Sequence, residues 1–158
     1  INNPTLTEAD LRNLAVAKQY KVTDVMLPFV RNKADLIILR EALREYGCED
    51  IRIFAKIENM TGVEHLEELI PYCDYIVIAR GDLGNAMPLS QLPRIQAHIA
   101  RVCRKHNKDF MIVTQMLDSM IKNPYPTRAE VNDIYHAVTQ GASALMLTGE
   151  TAHGKYPV

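Results

Sequence analysis

The residues best suited to chemistry stand in five short polar clusters, each just after an apolar run. Phe29 and Arg31 follow the first run, and Lys56 and Glu58 the second. Arg80, Gly81 and Asp82 follow the third, Thr114 and Gln115 the fourth, and Thr148, Gly149 and Glu150 the fifth. Parallel α/β folds place their sites at strand C-termini, so recurrence at five strand ends says more than any single residue. The two-residue period of a strand sets Lys56 and Glu58 on one face, and the same period pairs Arg80 with Asp82. Two carboxylates from adjacent strand ends, Glu58 and Asp82, suit a hard cation such as Mg2+ or Mn2+ and argue against zinc. Left without a cation they repel, and one carboxyl is raised in pKa. Lys56 and Arg80 nearby favour instead an anionic oxygen on a substrate.

The segment Arg80-Gly-Asp-Leu-Gly84 reads as a tight turn leading into a helix. Its glycines allow close backbone approach to a ligand, and N–H groups at a helix start attract a carboxylate or phosphate. Thr114 adds a hydroxyl from the next strand. The loop has neither the dinucleotide fingerprint nor P-loop spacing. Taken singly, these residues have plainer readings. Lys56 is a solvated strand-end charge, Glu58 a helix-start residue, Asp82 a turn former. Thr114 and Thr148 are ordinary hydroxyls, and Arg128 is a solvated side chain in a first helical turn. The histidines (65, 98, 106, 136 and 153) show no metal-ligand spacing and read as surface or core-edge residues. Met116 and Met120, at helical spacing, read as core.

The elements that must position these groups are legible from pattern. The apolar runs Val22–Leu27, Ile51–Ala55, Tyr75–Ile78, Phe110–Val113 and Ala144–Leu147 are rich in Val and Ile and lack strict polar alternation. That predicts strands covered on both faces, as in a parallel sheet. Helices fit between them. Thr7-Glu-Ala-Asp10, Thr61-Gly-Val-Glu64 and Thr127-Arg-Ala-Glu130 resemble capping boxes, the first least well because it uses Asp. Asn32 caps the helix bearing Leu36, Leu39, Ala42, Leu43 and Tyr46, and Gly47 stops it. Leu92, Ile95, Ile99, Val102 and Cys103 line one face of a longer helix. Pro71 ends the third helix, and Gly141 ends the one before the last strand. Strands alternating with helices imply right-handed parallel crossovers, either in an open doubly wound sheet or in part of a barrel. A complete (β/α)8 barrel takes about 250 residues, and a partial one leaves two strand edges open.

Composition narrows the class. The chain has 158 residues, 47% hydrophobic and 23% charged, with a formal net charge of −1. This is the profile of one globular domain, with no global electrostatic case for nucleic acid or an anionic membrane. No apolar run is long enough to span a bilayer. Cys48, Cys73 and Cys103 are far apart and form no Cys-x-x-Cys, which predicts reduced, buried thiols in a cytoplasmic protein.

Five longer motifs then carry a resemblance. Ala55-Lys-Ile-Glu-Asn59, Ala79-Arg-Gly-Asp-Leu-Gly84, Thr114-Gln-Met-Leu-Asp-Ser-Met120, Pro126-Thr-Arg-Ala-Glu130 and Met146-Leu-Thr-Gly-Glu-Thr-Ala152 resemble pyruvate kinase in order and spacing. Leu6-Thr-Glu-Ala-Asp10 and Phe29-Val-Arg31 also fit. The resemblance implies an α/β fold, a partial (β/α)8 TIM barrel from about strand four to strand eight. Residues 1–158 would be part of the catalytic barrel domain, without the lid and regulatory domains. It implies phosphoryl transfer from phosphoenolpyruvate to ADP, giving pyruvate and ATP in glycolysis, by a cytoplasmic homo-oligomer with no nucleic-acid or membrane partner. By the same resemblance Lys56 is catalytic and substrate-binding, and Glu58 and Asp82 hold Mg2+ or Mn2+. The Gly81 and Asp82 amides with Thr114 bind the substrate carboxylate, and Arg80 supports that loop. Thr148, where Ser is usual, lies near the proton-delivery route, and Arg128 reaches the neighbouring subunit. The full-length parent would also use K+. Ala86, Tyr125, His136 and Pro28 depart from the usual Glu, Arg, Asn and Ser. Without the first barrel strands, the isolated chain is expected to be inactive. The alternatives are a non-catalytic oligomerising fragment and a metal-dependent aldolase or lyase acting on pyruvate-like acids.

Overall fold

The computed structural model describes residues 4–157. Five strands, β1 (Asp24–Leu27), β2 (Arg52–Ile57), β3 (Tyr75–Ala79), β4 (Phe110–Val113) and β5 (Ala144–Met146), form one sheet in the order β1-β2-β3-β4-β5. Every pairing is parallel, from Leu27 opposite Ala55 through to Val113 opposite Met146. A doubly wound sheet reverses its strand order at a switch point; this one does not. Each strand lies beside its sequence neighbour, the topology of a (β/α)-barrel wall, and among the described residues the sheet is not closed.

The two faces of the sheet differ as a barrel wall requires. Leu27, Ile53, Ala55, Ile57, Ile76, Ile78, Phe110 and Ile112 pack into the large core shared with the helices. The alternate residues Phe54, Val77, Ala79 and Val113 form a second, smaller cluster with Tyr75, Met111 and Met146. The helices lie on the outer side: α1 (Glu8–Ala17), α2 (Lys33–Glu45), the broken pair α3 (Met60–Glu64) and α4 (Leu66–Leu69), α6 (Leu92–Lys105) and α7 (Arg128–Thr139). Two short helices, α5 (Arg80–Asn85) and α8 (Gly149–Ala152), follow β3 and β5 directly. No helix among the described residues is long and apolar enough to cross a membrane.

Local signals explain most boundaries. Thr7 and Thr127 both form complete capping boxes, with Asp10 and Glu130 as the reciprocal carboxylates. Asn32 caps α2 by accepting the Ala34 N–H, and Gly47 and Gly141 follow helices with φ of +65° and +95°. The expected box at Thr61 is corrected: Thr61 lies inside α3, and Asn59 is the cap, its Oδ1 accepting the Gly62 N–H at 2.8 Å. Packing sets this choice. A Cβ at Gly62 would stand 2.5 Å from the Val30 carbonyl, so this glycine must be the residue facing that loop. Pro71 is the second residue of a 3-10 turn, Ile70–Tyr72, that continues directly from α4. Strand ends also shift: β1 begins at Asp24 and β2 runs on to Ile57, carrying Lys56 within the strand. Met116 is fully buried, while Met120 is half-buried in a 3-10 turn, Asp118–Ile121.

The three cysteines are free and buried. Burial pushes the Cys73 thiol up to about 11 and the Cys103 thiol up to about 12, which keeps both protonated and unreactive at neutral pH.

Candidate active site

The predicted residues gather at one end of the sheet, where β2, β3, β4 and β5 run out into loops. On β2, period two brings Lys56 and Glu58 together as expected: Lys56 Nζ lies 2.8 Å from Glu58 Oε1. The Glu58 side chain is only 1% exposed, whereas Lys56 keeps 26% of its side-chain surface open. A buried carboxylate needs partners on both oxygens. The second comes from the β1–α2 loop, where the Phe29 N–H donates to Glu58 Oε2 at 2.7 Å. Phe29 holds a left-handed φ of +53° and exposes 57% of its surface at the rim.

Arg80 and Asp82 do not share a strand face, contrary to expectation. The segment read as a tight turn is the short helix α5, in which residues two apart point in different directions. Arg80 turns toward α7, its Nη1 lying 2.8 and 2.7 Å from the two carboxylate oxygens of Asp133. Its Nη2 donates to the Thr114 carbonyl at 2.9 Å and reaches Met116 Sδ at 3.0 Å. The guanidinium thus ties α5, α7 and the end of β4 together. Asp82 sits in the first turn of α5 with its carboxylate toward solvent.

Of the two glycines in this segment, Gly81 serves close approach. A Cβ on Gly81 would come within 3.0 Å of Thr114 Cγ2, so only glycine lets α5 lie against Thr114 with no shift of the threonine. Thr114 and Gln115 have φ of +85° and +54° in succession. Two consecutive non-glycine residues there are strained, a condition that marks ligand-binding turns and needs support from neighbours. The Arg80 bond to the Thr114 carbonyl is one such support.

After β5, Thr148 caps α8 and is exposed. Its N–H donates to Glu150 Oε2 at 2.9 Å, and its hydroxyl lies 3.4 Å from the same oxygen. Glu150 Oε1 accepts the Leu117 N–H at 3.0 Å, joining the rims of β4 and β5. Burial raises the Glu150 carboxyl, but donors from Leu117, its own N–H and Thr148 outweigh burial and hold it below the usual carboxylate range. Glu150 stands in the fifth polar cluster of the sequence, where local pattern assigns it no role. Arg128 is the first residue of α7, exposed, where the helix dipole disfavours a cation. Helix stability therefore does not account for an arginine at that position.

By residue type, though not by any contact between them, Glu58 and Asp82 suit a hard divalent cation, and both Glu58 oxygens are engaged by Lys56 and the Phe29 N–H. Mg2+ is commonly held by one or two carboxylates, the remaining positions going to water and substrate oxygens. Glu58 and Asp82 are of that type, and no group of three or more His, Cys, Asp or Glu among the described residues offers a closed metal cage.

A parallel wall with helices on one side, carrying a lysine, carboxylates, hydroxyls and a glycine-bearing helix start along its C-terminal rim, defines a segment of a (β/α)-barrel enzyme. The family model for the pyruvate kinase barrel domain matches residues 1–158. The chain is 42% identical over 158 residues to a pyruvate kinase of Clostridium acetobutylicum, covering 100% of this chain and 33% of that protein. It is 40% identical over the same length to pyruvate kinases of Clostridium perfringens and Mycobacterium tuberculosis, again covering 100% of this chain and 33% of each relative. The chain belongs to the pyruvate kinase barrel-domain family and spans about a third of the length of these curated relatives.

Proposed function

We propose that these residues form the C-terminal part of a pyruvate kinase catalytic barrel and supply the acid-binding side of its site. The reaction is transfer of the phosphoryl group from phosphoenolpyruvate to ADP. The phosphorus–oxygen bond to the enol breaks, a new one forms to the terminal ADP oxygen, and the enolate takes a proton to become pyruvate. The observation that carries this reading is the Lys56–Glu58 pair, held at 2.8 Å at the C-terminal end of β2.

Each residue has a defined task in that reading. The Lys56 ammonium offsets negative charge on the transferring phosphoryl group and on the enolate. Such transfer depends mainly on positioning and charge stabilisation. Glu58 and Asp82 would hold Mg2+ or Mn2+, which when bound polarises substrate oxygens. The Gly81 and Asp82 N–H groups, which have no intrahelical partner in the first turn of α5, bind the substrate carboxylate together with the Thr114 hydroxyl. Arg80 keeps this surface in place through Asp133 and the Thr114 carbonyl. Thr148 stands by the route of the incoming proton. Arg128 reaches a neighbouring subunit of a cytoplasmic homo-oligomer, in which the lid and regulatory domains and the K+ requirement belong to the full-length parent.

Coupled pyruvate formation by the full-length parent tests this. Lys56→Met should abolish most turnover, and equal rates would remove the role given to Lys56. Retro-aldol activity without nucleotide would favour an aldolase instead. The 158-residue chain by itself should show no turnover, because β1 and β5 each have one neighbour and Met26 on the inner face is 41% exposed. Sedimentation of that chain should show self-association.

A further inference from the structure

The β1–α2 loop is tied down more heavily than its length requires. Asp35, in the first turn of α2, is 4% exposed. Its carboxylate accepts the Arg31 N–H at 2.9 Å, Arg31 Nε at 3.1 Å, Arg31 Nη2 at 2.7 Å and the Thr5 hydroxyl at 2.5 Å. The Arg31 backbone and guanidinium are thus both bound to one buried group. Val30, the residue before Arg31, is fixed from the other side. The Val30 N–H donates to the Lys56 carbonyl at 3.3 Å, and Asn59 Nδ2 donates to the Val30 carbonyl at 3.2 Å. Immediately before these anchored residues stands Phe29, whose strained φ aims its N–H at Glu58.

A non-glycine residue leaves the left-handed region unless its surroundings prevent it. Relaxation of Phe29 would withdraw the N–H from Glu58 and leave a buried carboxylate oxygen short of a donor. We propose that Asp35, acting with Arg31, is a positioning residue for the active site: it clamps the β1–α2 loop so that the Phe29 amide fixes the orientation of Glu58, and with it divalent-cation affinity. Asp35 touches neither substrate nor cation. It acts through the loop, as outer carboxylates act on metal ligands elsewhere. This inference rests on the assignment of Glu58 as a cation ligand.

The test uses the full-length parent and four variants: Asp35→Asn, Arg31→Lys, Thr5→Val and Glu58→Gln. Direct Mn2+ binding, by titration calorimetry or electron paramagnetic resonance, should weaken about 10-fold in Asp35→Asn, within the range known for outer-shell changes. Arg31→Lys keeps the charge but loses the planar fork and should weaken Mn2+ about 3-fold. The KM for ADP should stay within about 2-fold in both, a split that general loosening of the fold would not produce. Amide hydrogen exchange at Phe29 should quicken in Asp35→Asn. Unchanged exchange there, or Mn2+ affinity within 2-fold of the parent, overturns the clamp. If Asp35→Asn does not fold, Arg31→Lys and Thr5→Val decide by the same two measurements. Glu58→Gln separates the premises: if it leaves Mn2+ binding intact, the ligand assignment fails, whatever the exchange at Phe29 shows.

Discussion

The outer and inner faces of the sheet are made by alternate residues of the same strands, yet they meet different demands. On the outer face Ile53, Ala55, Ile57, Ile76, Ile78 and Ile112 are fully buried under the chain's own helices. On the inner face a small apolar centre of Phe54, Val77, Ala79 and Val113 is bounded by charge at both ends. At the N-terminal end Arg52 pairs with Asp24 at 2.6 Å and lies over the Phe54 ring, which stacks on Tyr75 at 4.6 Å. At the C-terminal end stands Lys56 with Glu58. Burial on one side is therefore free of polar compromise, while the other side carries groups that folding alone does not require.

The largest effect should come from breaking the outer face. Phe110, 1% exposed, packs in the large core, and Phe110→Ala should lower barrel-domain stability by about 3–5 kcal/mol in urea denaturation. In the 158-residue chain by itself, Met26→Ala on the inner face should cost less than about 1 kcal/mol, because Met26 is there already 41% exposed. Similar losses at both positions would erase the contrast. On the inner rim, Lys56→Met should reduce turnover of the parent about 10²–10³-fold, by analogy with loss of an oxyanion-hole donor. Steady-state kinetics at saturating substrate would show it.

Smaller effects sharpen the same contrast at helix starts. Burial raises the Asp35 carboxyl, but the Arg31 and Thr5 donors more than reverse this and bring it to about 2, against a usual 3.8. The unfolded chain then binds the proton more tightly, so stability is complete above about pH 4 and falls as pH drops toward 2. The loss amounts to about 2 kcal/mol, and Asp35→Asn should flatten that part of the pH–stability curve. The smaller of the two helix-start effects is the cap of α7: Thr127→Ala should cost about 1 kcal/mol in the same melts.

What could be read in the sequence follows the range of each interaction. Caps at Thr7 and Thr127 were legible because donor and acceptor lie three residues apart. The Lys56–Glu58 contact was legible because strand period fixes it. Thr61 misled because its box pattern competes with a cap two residues earlier, and the decision belongs to Val30, 32 positions back along the chain and packed on Gly62. The Arg80–Asn85 helix was read as a turn because its glycines resemble turn residues, while the need for Gly81 is set by Thr114. Glu150 and Asp35 escaped assignment for a related reason. Their roles rest on distant partners: Leu117 bonds Glu150 across 33 residues, and Thr5 bonds Asp35 across 30.

Because every strand pairs with the one made just before it, this wall suits assembly during synthesis. As each βα unit leaves the ribosome, its docking edge is already present, and no strand has to wait for a distant segment or displace a wrong neighbour. The rim residues, spread over four such units, would then come into register only as the β5 unit arrives, so a nascent chain lacks this rim until that unit has emerged.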